Sequence, residues 1–442
     1  MGNLQSLFSD HIKQLCRRFD KTLTQEGVAA LILPSGEPKA QFLDDMDYPF
    51  VVNPQFKLWA PITDTPHCWV VYRQGEKPQL IFHEAKDFWH KTSRLRDDFW
   101  TDYFDIQIIH QPEEAFGYLP DNAADVAMIG EWHPRYQGRL DQLRLNPEGL
   151  IHRLDFARTQ KTAYEISCLQ SANFIAAKGH LAAEAAFRSG KSELAIHLDY
   201  LCATAQMEHE VPYGNIIALN ENAATLHYQH CQPEPPSSLR SFLIDAGASC
   251  RGYAADITRT YAKEADRFAE MLLAFDDLQQ ALVVQLKPGL DYVALHQQTH
   301  EKIAHWMADF NLLTTSAETA FEQGVTRTFL PHGLGHYLGL QVHDVAGKQA
   351  NADGDMIAQP ENYPFLRMLK VLDVGNVVTI EPGFYLIPAL MAELKNTPAA
   401  NAVNWPQIEK LIPYGGIRIE DDVVITADGY MNLTRQAFSQ LS

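Results

Sequence analysis

Residues 161–206 read KTAYEISCLQSANFIAAKGHLAAEAAFRSGKSELAIHLDYLCATAQ, a helical stretch with strand-rich sequence on either side. Thr162 and Glu165 have the spacing of a capping box, in which each side chain satisfies a backbone N–H at a helix start. Ser189-Gly190 interrupts the pattern, since glycine readily takes the left-handed conformation that ends a helix. A helical pair in this place divides the chain. At 442 residues there is length for two compact units of roughly 100 to 200 residues each. The expected division is an N-terminal α/β domain over 1–155, a helical linker over 156–210 and a second domain over 211–442.

Before the helices, strand-like runs occur at AALILPSG, CWVVYRQG, QLIFHEA, DIQIIH and VAMIGE. After them come NIIALN, SFLIDAG, YAADITRTYA, VVTIEPGFYL and IRIEDDVVIT, with two helical runs near 265–310. Strands with helices grouped apart predict an α+β domain whose helices cover one face of a sheet.

Charge restricts the partners. Thirty-six basic residues against 55 acidic ones give a net charge of −19, which repels phosphate backbones and anionic lipid, so neither nucleic acid nor membrane is an expected partner. The six cysteines form no C-x-x-C pair, as expected for reduced thiols, and no run of eighteen apolar residues occurs. A cytoplasmic location is expected.

The chemistry-bearing residues concentrate beyond 225. In IDAGASCRGYAADITRTYA, a hairpin turning at Cys250-Arg251 would set Asp245 directly opposite Asp256. Two facing carboxylates on an inward face need a shared proton or a cation. TIEPGFY places Glu381, and IRIEDDVVIT places Glu420, in apolar strand contexts; alternation puts Arg418 and Glu420 on one face and Ile417 and Ile419 on the other. The stretch PHGLGHYLGLQVHD holds His332, His336 and His343, and its glycines at 333, 335 and 339 argue against a chelating helix. An irregular loop would let one histidine ligate an ion while the others face a substrate. One histidine with four carboxylates suits manganese, or cobalt and zinc by substitution, better than a thiolate-rich set does. Five ligands exceed what one catalytic ion with a bound water needs, and imply a pair.

The order Asp245, Asp256, His336, Glu381, Glu420, with HGLGHYLGLQVHD and TIEPGFY around the later members, resembles the pita-bread metallopeptidases: methionine aminopeptidase, aminopeptidase P, prolidase and creatinase. VPYGNIIALNENAATLHY, FLIDAGASCRGYAADITRTYA and FLDDMDYPFVVNPQFKLWAP are similar to the bacterial Xaa-Pro dipeptidases, some of which are also organophosphorus acid anhydrolases. The resemblance implies a pita-bread domain behind a smaller α/β domain, cleavage of dipeptides with C-terminal proline, and organophosphate hydrolysis as a side activity. It implies two Mn2+ per subunit: Asp245 on one ion, His336 and Glu381 on the other, Asp256 and Glu420 bridging. Glu381 becomes the general base, and His227 and His343 stabilise the tetrahedral intermediate. His332 lies in the pocket, Arg418 anchors the substrate carboxylate, and Tyr213, Leu226, Tyr292, Val342 and Leu366 form the wall. Family members are homodimers whose N-terminal domain reaches over the other subunit's site, for which Asp45 and Trp89 are the matching residues. Aminopeptidase P specificity and a non-catalytic binding protein are the competing readings.

Overall fold

The computed structural model describes residues 2–89 and 91–441. Two compact units emerge, Met1–Cys168 with Gln349–Met356, and Leu169–Lys348 with Ile357–Ser442. The long helix Ala163–Arg188 therefore begins in the first unit and continues in the second. Its capping box is present: Glu165 accepts from the Thr162 N–H at 2.8 Å, and Thr162 accepts from the Glu165 N–H at 3.4 Å.

The first unit is built on a six-stranded sheet. Its strands are β1 (Ala30–Pro34), β2 (Trp69–Arg73), β3 (Gln79–His83), β4 (Asp105–Ile109), β5 (Val126–Met128) and β6 (Arg144–Leu145), ordered β4-β3-β2-β1-β5-β6. The β1–β2 and β2–β3 pairs are antiparallel, and the β3–β4, β1–β5 and β5–β6 pairs parallel. Every residue of β1 is buried, which explains its continuous apolar run where a half-exposed strand would alternate. The five strand-like runs of the sequence all become strands; the two-residue β6 carries no such signal.

The second unit holds β7 (Ile216–Leu219), β8 (Ser241–Asp245), β9 (Ser249–Cys250), β10 (Tyr253–Ala254), β11 (Thr258–Ala262), β12 (Val377–Ile380), β13 (Gly383–Tyr385), β14 (Gly416–Arg418), β15 (Asp421–Thr426) and β16 (Gly429–Asn432). They form the sheets β11-β8-β7, β12-β15-β16, β13-β14 and β10-β9. An antiparallel bridge between Thr258 and Glu420 joins the first of these to the later strands. Helices Arg267–Val283 and Tyr292–Asp309 supply most of the cover. Phe268, Met271, Leu272, Phe275, Leu278 and Leu282 recur at helical spacing and pack into the same apolar cluster as Val378, Ile380, Ile417, Ile419 and Val423. Burying each such side chain contributes about 1.5–3 kcal/mol before entropy is counted.

One expectation is corrected here. The hairpin after β8 turns at Arg251-Gly252, with φ of +51° and +86°, and not at Cys250-Arg251. Cys250 pairs with Tyr253, and Asp245 pairs with Thr258 in place of Asp256. A two-residue hairpin turn of this type I′ form needs positive φ at both central positions, and glycine supplies the second at no steric cost. Asp256 consequently lies across from Gly247, where a Cβ would stand 2.1 Å from the Ala255 carbonyl oxygen. The displacement is two residues, an even number, so Asp256 keeps the face of Asp245.

Candidate metal centre

Four strand ends and one loop supply the centre. Asp245 is the last residue of β8, Asp256 lies between β10 and β11, Glu381 follows β12, and Glu420 precedes β15. His336 comes from the 331–344 stretch, which is irregular as its glycines require. Gly335 lets that stretch press against β12: a Cβ there would lie 2.3 Å from the Thr379 carbonyl oxygen and 2.4 Å from the Tyr292 hydroxyl. Thr379 Oγ1 in turn accepts from the His336 N–H at 3.1 Å.

His336 is buried and its Nδ1 lies 2.9 Å from the Tyr337 carbonyl oxygen, which assigns the Nδ1 proton and turns Nε2 toward the carboxylates. Nε2 is 3.4 Å from Asp256 Oδ2 and 3.6 Å from Glu381 Oε1. Asp256, His336 and Glu420 each present a ligand atom within 4.8 Å of the others. The Tyr213 hydroxyl is 2.9 Å from Asp245 Oδ1 and 2.6 Å from Asp256 Oδ1. A phenol has one proton to offer to these two carboxylates.

Electrostatics follow from crowding. Burial, aided by neighbouring carboxylates, raises Asp245 above the ordinary range, Glu381 to about 7 and Glu420 well above its usual value. Burial would raise Asp256 too, but the hydrogen bond and charge of His336 prevail and hold it below. Burial would lower His336; hydrogen bonding to Asp256 and the charges of Glu381 and Asp256 overcome it and lift the ring to about 9. Three carboxylates that resist ionisation, Glu420 buried and Asp245 and Glu381 half-buried, and a single phenol proton between two acids, are conflicts a cation relieves. The donor set of carboxylate oxygens and one imidazole suits a divalent metal, and these residues fit one.

Residues 6–156 match the family described as Xaa-Pro dipeptidase, N-terminal domain, and residues 167–427 match metallopeptidase family M24. The Xaa-Pro dipeptidase of Shewanella frigidimarina is 48% identical over 436 residues, 99% of each chain. That of Shewanella woodyi is 47% identical over 98% of this chain and 99% of its own. The chain belongs to the Xaa-Pro dipeptidases of metallopeptidase family M24. Among solved structures, Pseudomonas aeruginosa aminopeptidase PepP aligns with a TM-score of 0.73 at 20% identity, covering 97% of this chain and 95% of its own. Proline aminopeptidase P II from Yersinia pestis gives 0.70 at 22%, covering 98% and 96%. Identity this low speaks to the fold, which for this Xaa-Pro dipeptidase family member is a pita-bread domain behind its N-terminal domain.

The remaining sequence-derived residues fall in three places. Arg418 is 4% exposed and donates from Nη2 to Asp245 Oδ2 at 2.8 Å, from Nη1 to the Tyr385 hydroxyl at 2.9 Å and from Nε to Thr258 Oγ1 at 3.2 Å. His332 Nδ1 lies 2.8 Å from the Gly333 carbonyl oxygen and 3.7 Å from Glu381 Oε2, and its Nε2 is 2.7 Å from the Tyr385 hydroxyl. Burial first, and then the charge of Arg418, lowers its pKa to about 3. His343 stands edge-on to His336 with ring centroids 4.4 Å apart, and His227 is exposed on the segment after the short helix Asn220–Ala224. Tyr292 is buried and donates to the Thr379 carbonyl at 2.7 Å. Leu366 is buried, and Leu226 and Val342 are half-buried. Asp45 and Trp89 lie on exposed segments of the first unit.

Sequence reasoning missed three side chains of this Xaa-Pro dipeptidase centre. Tyr385 accepts from Arg418 and donates to His332 Nε2, whose other nitrogen carries the proton. Thr258 accepts from Arg418 and donates to Glu420 Oε2 at 2.7 Å. Asp422, fully buried, accepts from the Asp256 N–H at 3.0 Å and from Asn173 at 2.8 Å. A signal existed for one of them: Asp256 and Thr258 are two positions apart, so an extended chain turns both to one face.

Proposed function

We propose that this protein hydrolyses dipeptides carrying proline at the C-terminal position, at a centre of two divalent ions, with manganese native and cobalt or zinc as substitutes. The gathering of Asp245, Asp256, Glu381 and Glu420 around His336 carries the reading, and likeness along the whole chain to Xaa-Pro dipeptidases supports the substrate class. Asp245 would hold one ion, His336 and Glu381 the other, with Asp256 and Glu420 shared. Ions bound there supply a water acidified to a pKa of about 7 and polarise the scissile carbonyl. Glu381 takes up the proton and returns it to the departing proline nitrogen. His343 and His227 hydrogen-bond the carbonyl oxygen as it gains charge. Three of the five Arg418 N–H groups are engaged within the protein, leaving two for the terminal carboxylate of a short substrate. His332, Tyr213, Leu226, Tyr292, Val342 and Leu366 bound the cavity.

Residues 1–155, 156–210 and 211–442 are assigned as cover domain, linker and catalytic domain. The exposed Phe42, Leu43, Phe88 and Trp89 of the first unit support a homodimer in which Asp45 and Trp89 reach the partner's site. Six free cysteines support a cytoplasmic setting, and among the described residues no helix is long and apolar enough to cross a membrane. Organophosphate hydrolysis is assigned as a side reaction.

The test is turnover of Leu-Pro before chelation, after it, and after adding back Mn2+, with a Pro-second tripeptide and a phosphotriester alongside. Activity lost and restored on the dipeptide is expected. Full activity without a transition metal overturns the mechanism, equal turnover of the tripeptide assigns aminopeptidase P specificity, and faster phosphotriester turnover reverses the ranking of substrates. Arg418→Ala should raise KM for Leu-Pro by about 10- to 100-fold, the loss of a charge-assisted contact.

A further inference from the structure

Glu193 is the first residue of the helix Glu193–Thr204, where an acidic side chain ordinarily faces water and gains from the positive end of the helix. Here it is 1% exposed. Oε1 accepts from the Leu219 N–H and from the Asn222 side-chain amide, both at 2.8 Å. Oε2 accepts from the Tyr228 hydroxyl at 2.8 Å and the Gln232 N–H at 2.9 Å. All four donors are neutral, and all four lie on one stretch of chain, residues 219–232. The Gln232 carbonyl also accepts from the Leu194 N–H at 3.1 Å, so the same helix start grips the far end of the stretch twice. A buried carboxylate offset only by neutral donors is stable while those donors stay in place; the arrangement therefore fixes the segment that provides them.

That segment carries Leu226, packed against the core of the second unit, and His227 beside the clamped Tyr228.

We propose that Glu193 is a positioning residue for the dipeptidase reaction: through Asn222, Tyr228 and two backbone amides it sets where the His227 imidazole stands at the site. The inference rests on the proposed role of His227 in stabilising the developing oxyanion. Glu193 itself touches neither metal ligands nor substrate.

The experiment is a double-mutant cycle on the manganese-loaded full chain, using Glu193→Gln, His227→Ala and their combination, with kcat and KM on Leu-Pro, metal content and melting temperature recorded for each. His227→Ala should lower kcat. Glu193→Gln should lower kcat on the order of 10- to 100-fold at unchanged metal content, the scale expected when a reacting group is misplaced by about 1 Å. In the His227→Ala background it should cost less than about twofold more, because residues acting through one another are not additive. Equal fractional losses in both backgrounds overturn the inference and reduce Glu193 to a stability role. An unchanged kcat for His227→Ala alone refutes the His227 reading, and the inference falls with it. Should Glu193→Gln not fold, Tyr228→Phe removes a single hydroxyl of the clamp: a several-fold loss of kcat confined to the His227 background supports the proposal, and no loss, or the same loss in both backgrounds, overturns it.

Discussion

Glu420 and Asp421 are consecutive residues, yet their side chains meet opposite surroundings. Glu420 joins Asp245, Asp256 and Glu381, four carboxylates with the Arg418 guanidinium and the His336 and His332 imidazoles beside them, and burial with its acidic neighbours pushes it well above the usual carboxylate range. Asp421 is fully buried as well. Its Oδ1 accepts from Arg259 at 2.7 Å; its Oδ2 accepts from Arg435 at 2.8 Å, Asn432 at 2.9 Å and Gln279 at 3.1 Å. Arg435 also pairs with Asp276, so two acids there meet two guanidinium groups. Burial would raise Asp421, but Arg259 and Arg435 outweigh it and hold it at about 2. Burial alone therefore does not distinguish a ligand from a structural acid; the balance of charge around it does.

The contrast is most directly broken at its acidic side. Asp256→Asn should abolish most turnover of Leu-Pro, on the order of 10³-fold in kcat/KM if several kcal/mol of transition-state stabilisation is lost, and should lower bound manganese measured by elemental analysis. Retention of both would detach Asp256 from the centre.

Next in size is stability. Asp421→Asn leaves the half-buried Arg259 and Arg435 guanidinium groups short of a partner and should cost about 2–3 kcal/mol in urea unfolding, whether or not metal is present. Glu420→Gln should do the reverse in chelated protein, raising its melting temperature by removing one of several crowded anions, while losing that gain in manganese. The same sign for both variants after chelation would erase the distinction.

Titration sharpens it further. Asp421 has its folded pKa depressed from 3.8 to about 2, so its contribution is present above the unfolded value and is lost as pH falls through the folded one. The gap in stability between wild type and Asp421→Asn should hold at pH 6 and close between pH about 4 and about 2. A gap that persists in acid would mean Asp421 acts through packing. The smallest effect is expected at Thr258→Val, which removes the hydroxyl between Arg418 and Glu420 at nearly constant shape and should cost about 1–3 kcal/mol, read by thermal unfolding of the chelated protein.

Much of this was legible in the residues. Each of the ten strand-like runs contains a strand, because short runs of Val, Ile and Leu bounded by Gly, Pro or Asn leave few alternatives. Alternation in IRIEDD put Arg418 and Glu420 on one face, and both reach Thr258. What escaped depends on geometry that spacing does not encode. The hairpin register hinged on which residue pair takes positive φ, and two candidate pairs adjoin at 250–252. Glu193 reads as an ordinary first-turn acid, since nothing local announces that residues 219–232 will fold over it. Asp421 and Asp422 are indistinguishable from ligands until Arg259, Arg435 and Asn173 arrive from distant parts of the chain.

The Arg251-Gly252 turn works as a ruler for the acids on either side of it. Inserting one residue there would turn Asp256 to the opposite face from Asp245, and inserting two would restore its direction while sliding it a full pleat along its neighbour. A change of length in this short connection therefore displaces a chemical group, where loops elsewhere on a protein surface commonly absorb one.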